Sequence, residues 1–185
     1  MKFFGLLVLT CALHAQAPEV KRIEVIFTGG HETEPVDHGR PDVLIAAALG
    51  VPTQVFREAF SHVTPAGPGR SPEPEEARRN KAALMRVLGP YGITSERINE
   101  VSNYYRYNRP LGQLVWRNTP ASAYATIRNG AVVGFTITNG GSGYSSAPHV
   151  SVPGMPDLKV GATLSFGTDF ATNGCIKELA VADAK

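Results

Sequence analysis

An Asn-Gly pair between two alternating apolar runs constrains this chain more than any other feature. Asn129-Gly130 separates residues 123–128 from residues 131–138. Two consecutive residues that tolerate positive φ suit a type I′ turn, whose twist matches that of the strands on either side. The spacing therefore predicts an antiparallel hairpin. Residues 149–152 and 158–166 read as further strands, punctuated by Gly154 and Pro156. An internal echo aligns residues 129–137 with residues 173–181, matching the Asn-Gly turn and then an apolar residue at three positions. This suggests a duplicated strand unit whose second copy contributes one strand to finish a sheet or small barrel. Cys175 aligns with Ala131 and reads as a small apolar strand residue.

Upstream of Trp116 the periodicity is different. Residues 23–27 alternate enough for one strand, ended by Thr28-Gly29-Gly30. Pro41 and Asp42 suit a first helical turn, because proline lacks only an N–H that has no partner there and a carboxylate favours the positive end of the helix dipole. Residues 43–49 are apolar all round and stop at Gly50, which predicts a short buried helix. Val55, Phe56, Ala59, Phe60 and Val63 give a one-sided helix behind Pro52-Thr53. A third helix opens near Pro74 with Glu75 and Glu76 and stops at Gly89-Pro90. Thr94 caps a fourth, with Ile98, Val101, Ser102 and Tyr105 on one face. The fold class expected is α+β: an N-terminal strand and about four short helices over residues 18–117, then a compact antiparallel β-domain over residues 118–185.

The first residues carry an address. Lys2, the apolar run 3–13 and Ala15-Gln16-Ala17 read as a secretory signal over residues 1–17, cut after Ala15 or Ala17. Cys11 raises the alternative of a lipid anchor, against which Thr10 speaks. The expected location is beyond the cytoplasmic membrane: periplasmic, cell-surface or extracellular. No later segment has the ~20 apolar residues of a membrane span. With residues 1–17 removed, Cys175 is the last cysteine, so no intramolecular disulfide or cysteine zinc site forms. Charge is uneven: residues 18–65 hold four Lys/Arg against seven Asp/Glu, and residues 66–117 hold nine against five. That mild bias falls short of a nucleic-acid footprint, and no nucleic-acid partner is expected.

The stretch Ile137-Thr138-Asn139-Gly140-Gly141-Ser142-Gly143-Tyr144-Ser145-Ser146-Ala147-Pro148-His149-Val150-Ser151-Val152 resembles the "GGSGYxSAPxVxV" β-repeat of secreted bacterial multi-module proteins and phage tail proteins. The helical sequences Arg78-Arg79-Asn80-Lys81-Ala82-Ala83-Leu84 and Glu100-Val101-Ser102-Asn103-Tyr104-Tyr105-Arg106-Tyr107 resemble uncharacterised secreted proteins of planctomycete-like bacteria. These resemblances imply a β element and an exported setting, and they carry no catalytic residue with them.

Candidate chemistry falls in two places. The loop 29–38 gathers His31, Glu32, Asp37 and His38, ligand types that suit zinc or another divalent ion. It lacks a helical His-x-x-x-His spacing, and a solvated polar loop with turn and cap hydrogen bonds is the competing expectation. The run Tyr104, Tyr107, Arg106 and Arg109, with Tyr144 in the glycine-rich loop, offers aromatic faces and cations that recognise sugars or proteins. The competing expectation is that these tyrosines cement the helices onto the β-domain. Gly-Tyr-Ser-Ser-Ala at 143–147 is no nucleophile elbow, because Pro148 and a strand follow where a helix is required. The leading expectation is a non-catalytic binding or cell-surface interaction module for a glycan or partner protein, with no cofactor. The alternative is a small metal-dependent hydrolase centred on the 31–38 loop.

Overall fold

The computed structural model describes residues 19–66, 70–108 and 111–182. The signal sequence, Cys11 and Arg109 lie outside these. The chain is α+β, and its described residues form seven strands in two antiparallel sheets and four α-helices.

The expected single strand over 23–27 is two strands, β1 (Val20–Glu24) and β2 (Ile26–Thr28), broken at Val25. β1 pairs with β3 (Ser122–Arg128), Ile23 opposite Ala125, and β2 pairs with β5 (His149–Ser151), Phe27 opposite Val150. Val25 is buried at the break, and its N–H donates to the Ala123 carbonyl at 2.9 Å. The residues themselves explain the change of sheet. Val20–Glu24 is mostly polar and then gives way to the unbroken apolar run Val25-Ile26-Phe27, and a strand passing between two sheets presents apolar side chains on more than one face. The segment grouped by sequence with the helical region thus pairs with the C-terminal strands.

The hairpin forms as expected. β3 and β4 (Ala131–Asn139) join through Asn129 and Gly130, both with positive φ. The sheets run β1-β3-β4 and β2-β5-β6-β7, where β6 is Val160–Ser165 and β7 is Cys175–Val181. Where the end of β4 meets β7, the Ile176 N–H donates to the Gly140 carbonyl at 2.8 Å. With β1 and β2 continuous on the other side, the sheets curl into a nearly closed barrel around Val25, Ala125, Ile127, Val150, Val152, Ile176 and Leu179. The echo differs at its turn. Asn173 does not share the positive φ of Asn129, and its side chain is fully buried.

The helices are α1 (Asp42–Leu49), α2 (Thr53–Ser61), α3 (Pro74–Leu88) and α4 (Ser95–Tyr104). Gly50 ends α1 in the left-handed conformation, its N–H reaching the Ala46 and Ala47 carbonyls. Glu76 accepts from the Glu73 N–H at the start of α3, and Thr94 Oγ1 accepts from the Arg97 N–H at the start of α4. Leu44, Leu49, Phe56, Ala59, Leu88, Ile98 and Val101 form the helical core. Two expected face positions fall elsewhere: Ser102 is exposed on the flank of α4, and Val63 lies beyond the end of α2. Among the described residues no single helix is long and apolar enough to cross a membrane.

The loop between β6 and β7 joins the two cores. Asn173 Nδ2 donates to the Leu44 carbonyl at 2.8 Å and to the Tyr105 hydroxyl at 2.7 Å. Gly174 has φ +69°, and a Cβ there would fall 2.4 Å from the Tyr144 carbonyl oxygen and 2.6 Å from Leu44 Cδ2. Only glycine meets both the φ and the space at this junction.

Candidate functional site

The turn at Pro35–Asp37 ends with His38 in the left-handed region, which sends Arg40 and Pro41 into α1. This folds Asp37 against α2, where Arg57 Nε and Nη2 donate to its two carboxylate oxygens at 2.7 and 2.8 Å. Arg40 forms a second fork onto Asp42 through Nε at 3.1 Å and Nη2 at 3.4 Å. The Arg40 guanidinium carbon also sits 3.7 Å from the centroid of the Phe60 ring, which fixes the plane of the cation.

The two carboxyl groups of this quartet are pushed in opposite directions. Burial raises Asp42 to about 6, Arg40 opposes the rise, and the neighbouring Asp37 carboxyl adds to it. Burial also acts upward on Asp37, but the hydrogen bonds from Arg57 and Asp42 and the charges of Arg57 and Arg40 hold it below the usual aspartate value. Desolvation disfavours either charge, and the better-paired carboxyl keeps it.

Three neighbouring hollows have Arg40 in their walls. The first, about 350 Å³, lies between Asp37, Arg57 and Thr53 on one side and Glu32, Ser145 and Ser146 on the other. The second, about 380 Å³, is lined by Val36, His38, Arg57, Phe60 and Val63. The third, about 250 Å³, has Ile45, Phe56, Phe60, Arg106 and Tyr107 in its walls. Together they make a groove with hydroxyls and carboxylates at one end and aromatic rings and cations at the other.

The metal-type residues of the 31–38 loop are not brought together. His31 stacks on Tyr144, ring centroids 5.3 Å apart at 7°, and stands edge-on to Trp116 at 5.9 Å. Its Nδ1 is 3.2 Å from the Gly143 carbonyl, which also accepts from Trp116 Nε1 at 2.8 Å. The Glu32 carboxylate accepts from the Ser146 hydroxyl and, at 3.1 Å, from the Gly30 N–H, and the Ser146 bond leads the effects that lower its pKa. Asp37 is committed to Arg57, and His38 faces the second hollow. Among the described residues no three His, Cys, Asp or Glu side chains converge as a metal-ligand set.

The aromatic residues divide. Tyr144 is buried, with its hydroxyl accepting from the Ala121 N–H at 3.0 Å, so it presents no face to a ligand. Tyr104 stacks on Phe170 at 4.0 Å and lies beneath Arg117, away from the groove. Tyr107 packs edge-on to Trp116 at 5.8 Å and donates to the Gly39 carbonyl, while also lining the third hollow with Arg106. Tyr107, Trp116, His31 and Tyr144 therefore form a continuous row of rings from helices to barrel. Burial raises the neighbouring Tyr105 hydroxyl to about 12.

No family model, curated protein or solved structure matches the chain. The site therefore stands on its own geometry. Arg40, Asp42, Phe60 and Arg57 were not singled out as site residues from the sequence. Arg57 lies between Phe56 and Glu58 on an amphipathic helix, where a solvated arginine is the ordinary expectation. The available hint was Arg40-Pro41-Asp42, a cation and an anion bracketing a helix start.

Proposed function

We propose that this protein is an exported, non-catalytic module that binds glycans along the Arg40 groove. The observation that carries the reading is that one arginine, held flat by Phe60, lies in the walls of all three hollows. The Arg40–Asp42 and Arg57–Asp37 forks hold both guanidinium groups in place from within the protein, so little ordering cost falls on binding. Sugars present hydroxyl pairs and apolar C–H faces. The groove meets these with Ser145, Ser146, Glu32 and the guanidinium groups for the first, and with Phe60, Ile45 and Tyr107 for the second. Residues 1–17 carry the export part of the reading.

The test is a glycan array probed with the chain lacking residues 1–17, beside the variant Ser61→Trp. Ser61 is exposed and lines the second hollow, so the indole fills the groove without disturbing a core. Binding that falls at least about tenfold in the variant supports the reading. Equal binding by both proteins removes the groove assignment.

A further inference from the structure

The two ends of the groove differ in charge, and the difference specifies a ligand. Glu32, Glu34, Asp37 and Asp42 line the first hollow together with Arg40 and Arg57. The second and third hollows have His38, Arg40, Arg57 and Arg106 in their walls and no carboxylate. Arg106 is exposed, and among the described residues no carboxylate or carbonyl holds its guanidinium. Arg40 and Arg57 direct Nε and Nη2 to their aspartates, so each has Nη1 unengaged among the described residues. Phe56, Phe60 and Ile45 supply apolar surface between these cations.

We infer that the Phe60 end of the groove is a subsite for a carboxylate-bearing sugar, a uronate, within the glycan. This deepens the groove reading above and rests on it. A guanidinium held against an aromatic ring is weakly hydrated and presents its N–H groups edge-on, the geometry that matches a planar carboxylate. Asp37 and Asp42 already neutralise most of the charge of Arg57 and Arg40. Arg106 is then the uncompensated cation that makes the subsite favour an anion, and the flanking apolar walls take the C–H face of the ring.

The experiment uses uronate oligosaccharides from alginate, pectin and hyaluronan, each beside its carboxyl-reduced counterpart, titrated calorimetrically into the chain lacking residues 1–17 and into Arg106→Gln. At least one acidic oligosaccharide binds about tenfold or more tightly than its reduced counterpart. In Arg106→Gln that preference collapses to below about threefold, because the acidic form loses more affinity than the reduced form, while the melting midpoint is unchanged. Salt weakens the acidic ligand more than the reduced one. Equal affinity for acid and reduced forms overturns the uronate subsite and leaves the glycan groove standing, as does a preference that survives in Arg106→Gln. Binding of neither form overturns the groove reading as well.

Discussion

Asp42 is a residue whose surroundings work against its charge. Its carboxyl lies at the start of α1, where the helix dipole favours an anion, yet the side chain is fully buried and beside a second carboxyl. A folded-state pKa near 6, above the unfolded value of about 3.9, means that its contribution to stability is complete below about pH 4 and is lost as pH rises through 6. Asp37 has the opposite sign. Its lowered folded pKa adds stability above the unfolded value, which is lost as pH falls. Asp42→Asn removes the first effect. Urea denaturation of both proteins at pH 4 and pH 7.5 should show the variant gaining on the wild type by roughly 3 kcal/mol between the two. Parallel pH dependence would show that Asp42 stays ionised in the fold. The sequence showed Asp42 as a helix-start residue and did not show its pairing. Asp37 and Arg57 are twenty residues apart, and their fork exists because the His38 turn folds the 29–38 loop onto α2.

At the scale of elements, local rules explain what the sequence made legible. The four helices follow from one-sided or all-round apolar spacing with Pro, Thr and Gly at their ends, and the 122–139 hairpin follows from Asn129-Gly130. The split between β1 and β2 was less legible because a sheet change depends on which distant strands accept the chain. Asn173-Gly174 repeats the hairpin letters but serves as a joint between cores, since Asn173 finds its partners on α1 and at the end of α4. The two Asn-Gly sites should therefore respond differently to the same change. Gly130→Ala meets no neighbour within 4 Å and carries only the cost of a positive φ, about 1 kcal/mol. Gly174→Ala adds a clash with the Tyr144 carbonyl oxygen and Leu44, and the destabilisation should exceed about 3 kcal/mol. Thermal melts of the two variants compare them directly, and equal losses would contradict the close packing of this joint.

Over the whole molecule, the groove exists because helices and barrel are assembled together. The 29–38 loop leaves β2, is pinned by Ser145 and Ser146 from the glycine-rich loop, and enters α1 through Arg40. The Gly-Ser-Gly-Tyr stretch was legible as a β-loop. Its work here is structural, since Gly143 and Tyr144 bond to Asn173 and Gly174 while Ser145 bonds to Gly30. Of the residues marked in the sequence for recognition, Arg106 and Tyr107 lie on the groove, whereas Tyr104 and Tyr144 serve packing. The rest of the groove could not be read ahead because no local pattern announces three hollows that share one arginine.

The most direct test of that groove is a two-dimensional NMR titration of the chain lacking residues 1–17 with the tightest oligosaccharide from the array. Following the arginine Nε–H signals alongside the backbone amides, the account predicts saturating shifts confined to Arg40, Arg57, Arg106, Phe60 and the Ser145-Ser146 loop. Shifts clustered on the outer face of β3 and β4 instead, around Tyr124 and Thr136, would contradict it.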